Sequence, residues 1–89
     1  MQSLYKLDTV DTTNEISIAS DEILTFSISG SGTVQAEIKL TTDDDAVWKV
    51  AQVCADGELY STNSGARKFR FNQTAASGVT ICEVTGAKL

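Results

Sequence analysis

The stretch ILTFSISGSGTVQAEIKLTT, Ile23 to Thr42, holds two runs of alternating residues on either side of Gly30-Ser31-Gly32. In the first run Leu24, Phe26 and Ile28 alternate with Thr25 and Ser27. In the second, Val34, Ala36, Ile38 and Leu40 alternate with Gln35, Glu37, Lys39 and Thr41. Period two puts each apolar set on one face of an extended strand, whereas a helix would scatter it around the circumference. Two glycines so close together tolerate the positive φ of a tight turn, so the runs are expected to pair as a hairpin.

The rest of the chain repeats this pattern more weakly. Ser3 to Val10 and Glu15 to Ser20 read as strands split by Asp11-Thr12-Thr13-Asn14. Ala46 to Cys54 follows the turn Asp43-Asp44-Asp45. It carries Val47, Ala51 and Val53 against Trp48 and Val50, which suits a central or an interface strand. Glu58 to Ser61 is short, and Asn63-Ser64-Gly65 is a turn. Ala66 to Gln73 alternates Phe69 and Phe71 with Lys68, Arg70 and Asn72, and Val79 to Thr85 is the last strand. No window supports a helix. The expectation is an all-β fold, a small antiparallel sandwich of Greek-key or jelly-roll type with about seven to eight strands. Leu24, Phe26, Ile28, Val34, Ile38, Leu40, Trp48, Phe69, Phe71 and Ile81 are the expected core.

The chain has 89 residues, room for one domain, with residues 1–10 as an N-terminal arm or edge strand. A core this small leaves little margin of stability, so association is a natural remedy. Proline is absent, and the edge strands need another device or a covering neighbour. The net charge of -5 argues against nucleic-acid and anionic-membrane partners. No apolar run reaches the roughly 18 residues of a membrane helix, and the N-terminus lacks a basic region followed by an apolar one. A soluble protein made in a cytoplasm is expected.

Chemistry is harder to find. There is no histidine, which removes the commonest general base and metal ligand. Cys54 and Cys82 alone do not complete a zinc site; they read as small buried hydrophobes, with a single bridge as the alternative. Asp43-Asp44-Asp45 offers oxygen ligands for calcium, yet consecutive aspartates diverge where calcium loops alternate ligand with spacer, so a solvated turn is favoured. Acidic pairs drawn from Glu37, Asp56 and Glu83 carry almost no glycosidase signal. No enzyme activity, cofactor or metal is expected. Arg67, Lys68 and Arg70 form a basic patch, either a docking surface or an exposed face paired with carboxylates. Trp48 reads as a core aromatic; the alternative is a sugar-stacking platform with Tyr5 or Tyr60.

Gly32-Thr33-Val34-Gln35, an acidic turn, a strand with an early tryptophan, and the later Gly65-Ala66-Arg67-Lys68-Phe69-Arg70-Phe71 together resemble a pattern of small bacteriophage virion β-sandwich proteins. The turn is Asp-rich here where the pattern has glycine. The resemblance spans roughly Ile23 to Val84. It implies a capsid decoration or cement protein, located on the virion after assembly in the host cytoplasm. It also implies a homo-oligomer, with a trimer favoured, that binds the major capsid protein or another virion protein. Tyr5, Lys6, Arg67, Lys68 and Arg70 are the expected interface. The alternative is a carbohydrate- or receptor-binding module of a phage appendage.

Overall fold

Alternation becomes two layers of strands with the apolar rows between them. A computed structural model describes residues 2–19, 22–62 and 68–88. The strands are β1 (Gln2–Leu7), β2 (Asp11–Thr12), β3 (Ile16–Ser17), β4 (Glu22–Ser29), β5 (Thr33–Lys39), β6 (Lys49–Cys54), β7 (Leu59–Thr62), β8 (Lys68–Ala75) and β9 (Thr80–Lys88). The first sheet has the order β1-β9-β4-β7. The second has β2-β8-β5-β6, with β3 also on β8. Every pairing is antiparallel. The fold is a small all-β sandwich.

The hairpin expected around Gly30-Ser31-Gly32 does not form. β4 lies between β9 and β7 in the first sheet, and β5 between β8 and β6 in the second. The link is an arch from one layer to the other, so both apolar rows point inward from opposite sides. Gly30 has φ +138°, and a Cβ there would lie 2.9 Å from the Val79 carbonyl oxygen; both facts demand glycine. At Gly32 a Cβ would collide with the Gln73 side chain. The arch is pinned from outside: Gly30 N donates to Asp56 Oδ1 at 3.0 Å, and Ser31 Oγ to the Ser77 carbonyl at 2.6 Å.

Leu24, Phe26, Ile28, Cys82 and Val84 from the first sheet meet Val34, Ala36, Ile38, Cys54, Phe69 and Phe71 from the second, with Ile16 beside them. Phe26 crosses the middle, 5.1 Å from Phe69 and 6.1 Å from Phe71 between ring centroids. These contacts are tilted and edge-on, the geometry the ring quadrupole favours.

Three residues expected in the core lie elsewhere. Leu40 is 59% exposed, because β5 ends at Lys39 and β6 pairs with it only as far as Ile38. Ile81 is half-buried on the outer face; the inward positions of β9 are Thr80, Cys82 and Val84. Trp48 precedes β6 and covers the outside of the second sheet. β6 is neither central nor regular. It is an edge strand with a bulge opposite Ala36 and Glu37, and the extra residue leaves both Val50 and Val53 exposed. Residues 2–7 of the expected arm are the strand β1, and Asn63-Ser64-Gly65 falls outside the described residues.

Candidate interaction surfaces

The outer face of the second sheet is charged and closed upon itself. The register sets Glu37 opposite Arg70 and Lys39 opposite Lys68. Arg70 Nε donates to Glu37 Oε1 at 2.7 Å, and Asn72 Nδ2 to Glu37 Oε2 at 3.2 Å. Lys68 Nζ meets Glu15 Oε2 at 2.8 Å. That hydrogen bond holds the Glu15 carboxyl below its ordinary range and the Lys68 ammonium above its own. Trp48 lies over this network, its ring centroid 4.3 Å from Arg70 Cζ and 5.2 Å from Lys39 Nζ. Under this cover Glu37 and Lys39 are only 7% and 8% exposed. A cation over an indole face gains about 0.5–2 kcal/mol depending on desolvation.

The outer face of the first sheet differs in kind. Cross-strand register builds a row Leu4–Glu83–Ser27–Leu59 and beside it a row Gln2–Thr85–Thr25–Ser61. Small hydroxyl side chains in the middle and leucines at both rims leave an open trough of about 560 Å³. Three strand spacings separate the rims, about 14 Å. Leu4 is 56% and Leu59 71% exposed. Glu83, on the trough floor, has no ion-pair partner among the described residues. The outward Ser and Thr were visible in the sequence as exposed sheet positions. The two rim leucines carried no such signal, because only register places them in one row.

The expected interface residues are dispersed over the sandwich. Tyr5 packs against the core, edge-on to Phe71 at 6.3 Å. Lys6 is exposed on β1. Lys68 and Arg70 are engaged by Glu15 and Glu37, and Arg67 lies outside the described residues. Tyr60 packs against Phe26 in the interior, 5.6 Å between centroids, and its hydroxyl accepts from Ala55 N. Trp48 therefore shares no surface with either tyrosine.

The aspartate turn organises itself. Asp43 Oδ1 accepts from Asp45 N at 2.9 Å, and the Asp43 carbonyl accepts from Ala46 N at 3.0 Å. Among the described residues no cluster of three His, Cys, Asp or Glu is arranged to hold a metal ion. Glu37, Glu83 and Asp56 occupy three separate places: the second outer face, the first outer face and the arch. Both cysteines are free and buried. Burial pushes the Cys82 thiol up to about 11, with Cys54 adding to the shift, and burial raises Cys54 as well. Neither thiol is the exposed, low-pKa kind that attacks substrates. No helix among the described residues is long and apolar enough to cross a membrane.

No family profile matches this chain, and no curated protein matches it in sequence. In three dimensions it is similar to the SPBc2 prophage-derived protein YomS, whose crystal structure superposes with a TM-score of 0.63 at 14% sequence identity. The match takes in 98% of this chain and 96% of that one. The two chains share the sandwich from end to end, and what they share is the fold.

Proposed function

We propose that this chain is a structural protein of a bacteriophage particle, a capsid decoration or stabilising subunit that works by contact rather than by chemistry. The observation that carries this reading is the end-to-end likeness to a prophage-derived protein of almost the same extent. A sandwich of this kind has the outer face of its first sheet and its rims available for neighbours. Its partner is the major capsid protein or another protein of the shell. It needs no cofactor and catalyses no reaction, and its site of action is the virion surface. Individually weak contacts repeated over many copies sum to tight attachment.

The test is direct. Purified protein is added to phage shells that lack it. Saturable binding at a fixed ratio to the major capsid protein, with a higher melting temperature of the shell, is the expected result. Shells that take up none and melt unchanged exclude the reading. The alternative, a glycan- or receptor-binding appendage module, relied on an aromatic platform. Trp48 stacked by two cations, with Tyr5 and Tyr60 turned to the core, supplies none.

A further inference from the structure

The apolar rows between the layers enclose two polar side chains. Gln73 on β8 and Thr80 at the start of β9 are both 0% exposed. They belong to different sheets and converge under the arch, where a Cβ on Gly32 would collide with Gln73 Oε1 and Thr80 Oγ1 alike. Half of the Gln73 amide is accounted for. Its Nε2 donates to the Thr9 carbonyl at 2.8 Å and to the Leu7 carbonyl at 3.4 Å. Those carbonyls fix the orientation of the amide, since a flipped amide would set oxygen against oxygen. Oε1 is thereby aimed at the arch. Neither it nor Thr80 Oγ1 has a hydrogen-bond partner among the described residues.

A buried acceptor and a buried hydroxyl left unmet forfeit their hydration with no return, so native proteins satisfy such atoms with protein groups or with ordered water. We infer that one internal water molecule binds beneath the arch as a fixed part of the fold, donating to Gln73 Oε1 and hydrogen-bonded to Thr80 Oγ1. The chemistry of the two groups selects water. An amide oxygen only accepts, whereas a hydroxyl both donates and accepts, so the ligand must be a small neutral donor that also accepts. A metal cation calls for more oxygens and for carboxylates, and among the described residues no cluster of three His, Cys, Asp or Glu is arranged to hold one. Gly32 forms the wall of the site, because any larger residue there would press on both oxygens. The water joins the second sheet, through Gln73, to the first, through Thr80. Gln73 extends the link to Leu7 and Thr9, where the chain leaves β1 for β2. One solvent molecule thus rivets both layers and the arch at a place where apolar packing is interrupted.

The site is internal, so its fate is independent of what the outer faces bind. A crystal structure of the full chain that places solvent is expected to show one density peak at about 2.7–3.2 Å from both oxygens. An empty map there, or the two oxygens in direct contact, overturns the inference. Thr80→Val keeps the side-chain shape and deletes the hydroxyl, and the sign of its effect is decisive. With the water in place the variant is expected to raise the unfolding equilibrium constant about tenfold, read by chemical denaturation. A variant as stable as the parent, or more stable, overturns the inference, because deleting a hydroxyl that had no partner relieves a penalty. Magnetic relaxation dispersion, which counts long-lived internal waters, is expected to find one fewer in Thr80→Val and the full number in Thr80→Ser. An unchanged count in the valine variant, or the same loss in both, removes Thr80 Oγ1 from the site and overturns the bridge.

Discussion

The two outer faces of this sandwich lie back to back on one core, yet they solve opposite problems. The face of the second sheet contains its own answers: Arg70 is paired with Glu37, Lys68 with Glu15, and an indole lid over Arg70 and Lys39 covers the middle. The face of the first sheet holds serines, threonines and one unpaired carboxylate between exposed leucines. A surface that is satisfied internally contributes to stability. A surface that is smooth, weakly polar and rimmed with apolar residues has little to lose when covered, and interfaces draw on such surfaces. Lys68 and Arg70, which look like part of a docking patch in the sequence, are therefore the less available ones.

The comparison can be broken at several depths. Phe26→Ala removes the ring that joins the two layers, so both faces should suffer together. A loss of about 3–5 kcal/mol in unfolding free energy is expected from chemical denaturation. Alkali acts on the same shared layer. The neutral Cys82 thiol is favoured in the fold, so its contribution is intact below the ordinary thiol value near 9 and is lost as pH climbs towards about 11. The cost reaches roughly 2 kcal/mol, read as a falling melting temperature that Cys82→Ala flattens. Glu37→Ala then separates the faces. It strips Arg70 and Asn72 of their acceptor and should cost about 1.5–2 kcal/mol, whereas Glu83→Ala should change stability by less than about 0.5 kcal/mol. Equal costs would erase the distinction. Trp48→Ala sharpens it, with about 1 kcal/mol lost through the cation contacts and greater exposure of Lys39. Ser27→Ala, on the trough floor, should sit within about 0.5 kcal/mol of the parent.

Sequence reading was strongest where the physics is local. Leu24, Phe26 and Ile28, and then Val34, Ala36 and Ile38, declare their faces because side-chain direction along a strand alternates whatever lies beside it. Strand partners are not declared. Gly30-Ser31-Gly32 suits a two-stranded turn and an arch between layers equally well, and only the distant contacts of Gly30 with Val79 and Asp56 select the arch. The bulge in β6 is similarly hidden. A run with valines at 47, 50 and 53 suggests burial on both sides, when one extra residue has turned Val50 and Val53 to the same exposed side. Trp48 was misplaced for a related reason. Its neighbours are apolar, but its partners, Lys39 and Arg70, lie on other strands and are cationic. The absence of histidine was legible at once, whereas the trough and its leucine rims arise only from the pairing of β1, β9, β4 and β7.

The position of β9 has a consequence for the order in which the molecule can be made. β1 and β4 have no strand in common until residues 80–88 slot between them. While these are still inside the ribosome, the nascent chain can lay β5 beside β6, but one layer of the sandwich lacks its middle. Completion is thus a late, all-at-once event that links segments nearly a full chain length apart, the kind of topology that folds slowly. Any cut that removes this segment should release β1 and leave β4 held by β7 alone, so that a chaperone or protease meets an open half-sandwich rather than a frayed tail.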